Sequence, residues 1–323
     1  MGQRVLVTGA AGHLAAALAR RLADDPAVEE VVAVDRTEPE HPLGGARFVP
    51  ADIRTPVFLS ILQTSGADTV VHLDLLATPA GAGGRGRMKE INVIGAMQLF
   101  AACQRAQSVR KVVVKSSTAV YGSDAEMPAV FTEEMAARGQ VRGGYAKDAV
   151  EVEGYARDLT RRREGVALTI LRFANFMGPR IQSSLTRYFS LPVVPTPIGY
   201  DPRLELIHED DALEVLERVT REDHPGVFNV SADGIVYLSQ ALRLLGKPPL
   251  PVLPPLGRPL ASVLTRLRLV DVAFDQLPLL LHGRVTDNAR LKRTLGWEPK
   301  FDTRAALLDV AAAERRRIEE ALS

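Results

Sequence analysis

Residues 7–18 read VTGAAGHLAAAL, a β-branched strand end that runs through Gly9 and Gly12 into a helix of alanine and leucine. Gly9, Gly12 and Ala15 stand three residues apart, the spacing of a dinucleotide-binding loop. The first glycine permits the tight strand-to-helix turn, the second lets backbone approach a diphosphate at the helix N-terminus, and the small third residue keeps the helix close to the sheet. Asp35 ends the next predicted strand, 20 residues beyond Ala15. A carboxylate there takes both hydroxyls of an adenosine ribose and repels a 2′-phosphate, so the expected cofactor is NAD. Arg36 beside it still offers a cation for a phosphate.

Outward from this loop the chain alternates between two periods. Short β-branched runs at 5–8, 31–34, 46–49, 69–73, 111–114 and 167–171 are separated mostly by helical patterns such as 12–24, 88–107 and 144–164. This alternation predicts an α/β fold with a Rossmann-type doubly wound parallel sheet. After Pro179 the texture changes to loops and short elements, with proline clusters at 192–197 and 248–259. The expected organisation is an NAD-binding domain over 1–178, to which 205–231 returns. A smaller substrate-binding region then occupies 179–204 and 232–323.

Composition narrows the function classes. The 323 residues are 46% hydrophobic, enough for a full core, and the net charge of +1 leaves no footprint for nucleic acid. The basic runs Arg161–Arg163 and Arg315–Arg317 read as solvated helix faces. Cys103 is the sole cysteine and lies in an apolar helical pattern, which fits a reducing compartment. Residues 1–7 enter a strand without a signal-peptide pattern, and no apolar run approaches the ~18 residues that span a bilayer, so a cytoplasmic protein is expected. No group of residues has the spacing of a metal site.

Further stretches carry a resemblance. ADIR (51–54), INVIGA (91–96), VKSSTAVYG (114–122), LRFANFMGPR (171–180) and LGWEPKF (295–301), together with the glycine loop, make nearly the whole chain similar to the extended short-chain dehydrogenase/reductase family. The matching branch is that of the NAD-dependent nucleotide-sugar epimerases and dehydratases. The resemblance implies cofactor contacts at Gly9, Ala11, Gly12, His13, Leu14, Asp35, Arg36, Asp52, Ile53, Leu73 and Asp74. It implies an active-site helix carrying Asn92, a catalytic hydroxyl at Ser117, and a lysine at Lys147 that also holds the nicotinamide ribose. Thr118 and Asn175 are implied on the substrate side, and a homodimer is the implied assembly.

In the same family a tyrosine four residues before the lysine is the general base. Its phenolate accepts the proton of a sugar hydroxyl as hydride leaves the same carbon. In GGYAKDAVE (143–151) that position is Gly143. Tyr145 is two residues from Lys147, and an i, i+2 pair on a helix points in different directions, so it substitutes only if this turn is not helical. Tyr121 is a second candidate, otherwise structural. Asp74 stands where the family has small residues: it reads either as a substitute base or ribose contact, or as a loop acid pairing with a backbone amide. TPAGAGGRGR (78–87) reads as a lid over the cofactor or as an ordinary loop.

The substrate side departs as well. Many relatives that bind a nucleoside diphosphate sugar carry an arginine four residues before the histidine of the strand containing His208, and here that residue is Leu204. Arg203 is one residue away, and on a strand a shift of one turns the side chain to the other face. His208, Asp210 and Asp211 read as structural, the acids capping a helix expected to begin near Ala212. Leu260, Val263, Leu264, Leu267 and Val270 have amphipathic helical spacing, which suits core packing, an apolar pocket or a subunit interface. Two function classes therefore remain: an NAD-dependent oxidoreductase or epimerase of altered mechanism, and a catalytically silent NAD-binding sensor or scaffold.

Overall fold

The computed structural model of the chain describes residues 2–79, 82–135, 144–253 and 277–322. Gly143 and the amphipathic stretch at 260–270 lie outside the described residues, as does part of the glycine-rich connection at 78–87. The chain packs as two compact units. The first comprises Met1–Ser117, Lys147–Arg172 and Leu213–Phe228, and the second comprises Thr118–Ala146, Phe173–Ala212 and Asn229–Ser323.

The first unit is built on a seven-stranded sheet whose order is β11-β6-β5-β4-β1-β2-β3. Its strands are β1 (Gln3–Thr8), β2 (Val28–Asp35), β3 (Arg47–Pro50), β4 (Thr69–His72), β5 (Lys111–Ser117), β6 (Ala167–Phe173) and β11 (Gly226–Val230). The pairings from β3 through β2, β1 and β4 to β5 are parallel. The strand order reverses between β1 and β4, and in such sheets that reversal opens a crevice at the carboxyl ends of the two strands. The sequence reading omits β11, whose five residues include a glycine and an asparagine that dilute the β-branched signal.

Helices are fixed to this sheet by one-sided burial. α1 (His13–Ala23) buries Leu14, Leu18 and Leu22 along one stripe, with Ala15 and Ala19 allowing close approach. α2 (Val57–Ser65), α3 (Arg85–Lys89), a π-helical turn (Glu90–Ile94) and α4 (Gly95–Arg105) follow, and α5 is Gly144–Arg162. Cys103 is buried in α4, as its apolar surroundings predict. α5 carries Glu153 into the interior, where its carboxylate accepts from Ser116 Oγ at 2.6 Å, Arg172 Nε at 2.9 Å and Nη2 at 2.8 Å, and Arg157 Nη2 at 2.7 Å. Glu153 and Arg172 expose 2% and 5% of their side chains, so this charge-assisted network ties α5 to β5 and β6 away from water.

The second unit is a set of short pairs. β7 (Asn175–Met177) runs parallel with β10 (Leu206–His208), β9 (Arg203–Leu204) antiparallel with β12 (Val236–Tyr237), and β8 (Val194–Pro197) parallel with β13 (Pro249–Val252). Met177, Leu204, Leu206, Leu238, Leu242 and Leu307 share one apolar core with α6 (Ser184–Phe189) and α8 (Leu238–Leu245). α9 (Leu277–His282), α10 (Ala289–Leu295) and α11 (Thr303–Leu322) complete the described elements. His208 is a packing residue here: its ring stacks on Phe301 at 3.8 Å and Nε2 lies 3.2 Å from Asp309 Oδ2. Asp211 accepts the Lys300 and Phe301 amides at 3.0 Å each. α7 runs Glu209–Arg221, three residues earlier than the sequence places its start, so Glu209, Asp210 and Asp211 occupy its first turn and face the positive end of the helix dipole.

No helix among the described residues is long and apolar enough to cross a membrane. Removing one partner of the interior ion pair tests the account of α5. Arg172→Ala leaves the Glu153 charge buried and should lower the unfolding free energy by about 3–5 kcal/mol. A urea midpoint close to wild type would mean that Arg157 alone neutralises Glu153.

Candidate functional site

The crevice between β1 and β4 begins with a backbone constraint. Gly9 has φ +81°, and a Cβ placed on it would lie 2.9 Å from the Asp74 backbone nitrogen. Only glycine is unstrained there, and its missing side chain lets the loop after β1 press on the chain leaving β4. The Gly9 amide donates to Val34 O at 3.0 Å and its carbonyl accepts the Gly12 amide at 2.9 Å, which sets the turn. Gly12 caps α1 without a side chain, leaving the approach to the first-turn amides clear of any capping group. The Asp35 carboxylate is anchored at both oxygens, Oδ2 accepting the Ala11 amide at 3.0 Å and Oδ1 the Thr37 amide at 3.1 Å. A side-chain-free helix N-terminus for a diphosphate and a fixed carboxylate for ribose hydroxyls fit a dinucleotide.

Asp52 and Ile53 sit in the next turn. Arg54 holds the Asp52 carboxylate through Nε at 2.9 and 3.0 Å and Nη2 at 2.6 Å, and this pairing lowers the Asp52 pKa. Ile53 is buried, against the position where a Gly95 side chain would be, while Arg36 is exposed. Leu73 is buried at the end of β4. Asn92 braces the chain that follows it: Oδ1 accepts the Leu76 amide at 2.8 Å, and Nδ2 donates to Leu76 O at 3.0 Å and to Asp148 Oδ2 at 3.0 Å. Arg85 closes this set with a bidentate pair to Asp148, at 2.7 and 2.6 Å.

Asp74 and Lys115 are charges at the ends of adjacent central strands. β4 and β5 pair up to His72 opposite Val114; Lys115 follows within β5, and Asp74 lies two residues beyond the end of β4. Among the described residues the Asp74 carboxyl has no backbone amide as partner, which removes the loop-cap explanation for it. Burial, reinforced by Asp35 and opposed by Lys115, pushes the Asp74 pKa up to about 6. Burial pulls Lys115 down to about 8, and Asp74 opposes that shift. The neighbouring His72 is wholly buried, bonded through Nδ1 to Thr8 Oγ1 at 2.9 Å, and burial holds it neutral with a pKa of about 3.

The remaining sequence candidates divide between the two units. Ser117 ends β5 in the first. Lys147 is exposed on α5, and Glu151, four residues on, pairs with Lys89 at 3.7 Å. Tyr145 lies in the first turn of α5 and is buried, and at two residues from Lys147 on a helix it points in a different direction. In the second unit Tyr121 donates to Asn229 Oδ1 at 2.7 Å and stacks on Phe131, a structural role. Asn175 is half-buried in β7, and Arg203 donates to Ala129 O at 3.0 Å. Thr118 accepts from Arg284 Nε at 3.2 Å. Lys115 and Arg284 were both missed by the sequence reading. A lysine inside VVVKSS was a visible signal, whereas nothing around Arg284 distinguishes it in one dimension.

Comparison with known proteins gives this geometry a family. The profile of the NAD dependent epimerase/dehydratase family matches residues 5–231. The uncharacterised protein Rv0501 of Mycobacterium tuberculosis is 44% identical over 310 residues, covering 94% of this chain and 82% of that protein. Among solved structures, MoeE5 in complex with UDP-glucuronic acid and NAD superposes with a TM-score of 0.75 at 22% identity, over 98% of this chain and 100% of that one. UDP-glucose 4-epimerase from Thermotoga maritima gives a TM-score of 0.73 at 20% identity, over 97% and 99% of the two chains.

The charge at Asp74 makes a signed prediction about stability. Its folded pKa of about 6 lies above the ordinary carboxylate value of 3.8, so its contribution is fully present below pH ~4 and is lost as pH rises through about 6. Asn does not titrate. The melting temperature of Asp74→Asn relative to wild type should therefore climb between pH 4 and pH 6.5 in the cofactor-free protein, and a pH-independent difference would contradict the raised pKa.

Proposed function

The chain belongs to the NAD dependent epimerase/dehydratase family, with NAD as its cofactor, and on that premise we propose that it oxidises a secondary hydroxyl of a nucleotide sugar or related alcohol. NAD supplies the hydride acceptor when bound. The observation that carries this reading is the crevice at the strand reversal, where Gly9, the α1 N-terminus and the anchored Asp35 stand together and Ser117 ends a nearby central strand. In this reading the glycine loop and α1 amides hold the diphosphate, Asp35 holds the adenosine ribose, and Lys147 reaches the nicotinamide ribose. Asn92 is a positioning residue that keeps the chain after β4 in place.

Ser117 presents its hydroxyl to the substrate oxygen. That oxygen loses its proton as hydride leaves the carbon, which needs a base within hydrogen-bond reach or one water away. Gly143 has no side chain to provide one. Asp74 is the replacement assigned here: with a pKa of about 6 it is ionised at neutral pH, and Lys115 on the adjacent strand favours that charge. Proton uptake leaves Asp74 as the neutral acid, which returns the proton when the carbonyl is reduced. Gly143, together with the burial of Tyr145, favours the second reading, a catalytically silent NAD-binding protein.

The two readings separate when NAD-loaded protein is mixed with UDP- and dTDP-sugars and reduced-nicotinamide absorbance is followed. Reduction is expected, with a rate that rises through about pH 6 as Asp74 ionises. Asp74→Asn should slow it by on the order of 10²–10⁴ while NAD stays bound, and Ser117→Ala should slow it too. An unaltered rate in Asp74→Asn removes Asp74 as the base. Absence of reduction across the panel by protein that demonstrably holds NAD favours the silent binder.

A further inference from the structure

β5 carries two lysines that differ in what they bond. Lys111, at its start, is buried and satisfied: Nζ donates to Thr220 O at 3.0 Å and Glu222 O at 2.7 Å and pairs with Asp223 Oδ1 at 2.9 Å. Lys115, four residues on, is half-buried, and among the described residues its ammonium has neither a hydrogen bond nor an ion pair. Its compensation is the charge of Asp74, acting through space. An ammonium carries three donors, and holding them away from water without acceptors is costly.

The strand period gives the direction of that ammonium. Successive side chains alternate between the faces of a sheet, so residues two apart share one face. Ser116 is turned to the interior, its hydroxyl donating to Glu153 Oε1 on α5 at 2.6 Å. Lys115 and Ser117 therefore share the opposite face at the carboxyl end of β5, and both are half-buried where Ser116 is buried. A lysine stem is long enough to lay Nζ alongside a hydroxyl two residues further along that face. Few charges surround it among the described residues. Arg157 and Arg172 are held by Glu153 on the Ser116 side, His72 on β4 is neutral, and Asp74 is the carboxylate that acts on Lys115.

We propose that Lys115 is a catalytic residue whose ammonium binds the reacting oxygen of the substrate beside Ser117. This inference rests on the nucleotide-sugar reading above and adds a second role for Lys115 to its effect on Asp74. As hydride leaves the carbon, the hydroxyl proton passes to Asp74 and Lys115 keeps its own three protons. The ammonium holds the oxygen while negative charge builds on it. On the return step the same donor polarises the carbonyl, hydride comes back to the carbon, and Asp74 returns the proton to the oxygen.

A lysine that only keeps Asp74 ionised behaves differently, and the pH profile separates the two roles. Reduced-nicotinamide absorbance is followed in NAD-loaded protein with whichever of UDP-glucose, UDP-galactose and UDP-glucuronic acid reacts fastest. The wild-type rate should fall as pH rises through about 8, where the ammonium loses its proton. Lys115→Met should lower kcat at the optimum by on the order of 10²–10³ with little change in KM, and Lys115→Arg should recover part of the loss. A Lys115→Met profile that only moves its acid limb to higher pH, with the plateau rate intact, overturns the proposal in favour of the counter-charge. Wild-type protein gives a second test without turnover: acetylation of Lys115 by acetic anhydride, read by mass spectrometry, should slow when the UDP-sugar joins NAD and not when UDP alone does. Full protection by NAD alone, or equal protection by UDP, also overturns the proposal. Thermal melts establish that both variants fold. A chain that holds NAD and oxidises none of the three sugars removes the nucleotide-sugar reading and this inference with it.

Discussion

The close approach of Gly9 to the backbone of Asp74 is the contact on which the candidate site depends. It fixes how the loop after β1 meets the chain leaving β4 at the point where the strand order reverses. A positive φ and a 2.9 Å Cβ clash exclude side chains there, so the glycine is a geometric requirement and not a preference. From that contact follow the start of α1 at His13, its side-chain-free N-terminus, and the position of Asp74 beside the cofactor loop.

Around it, buried polar groups are compensated in sets. Glu153 is shared by Ser116, Arg157 and Arg172; Asp148 is shared by Arg85 and Asn92. Each set joins elements distant in sequence through bonds that water cannot replace, which gives the first unit rigid supports for its crevice. Asn92 is one such support: both its amide atoms bond Leu76, so it holds the backbone that follows β4.

Two groups break this pattern. Asp74 and Lys115 face burial with only through-space compensation, and Arg284 meets only neutral oxygens at long range. Asp74 and Lys115 lie in the first unit, and Arg284 is bridged to Leu204 in the second.

The glycine spacing of residues 7–18, Asp35 and the alternation of β-branched runs with helical stripes were sufficient for the sheet, the cofactor loop and NAD, because these depend on local periods and on backbone conformations that few residues adopt. His208 and the acids after it read as structural, and they are, although the first turn of α7 begins earlier because acids are as favourable inside it as before it. That Tyr145 is buried in an ordinary helical turn, that among the described residues Asp74 has no backbone amide as partner, and that its charge is felt by Lys115 were decided only by tertiary structure. The same holds for Arg284, more than 160 positions from Thr118 and in contact with it. Sequence determines conformation and period residue by residue; which charges meet, and which are left without a partner, depends on contacts that the chain makes only after folding.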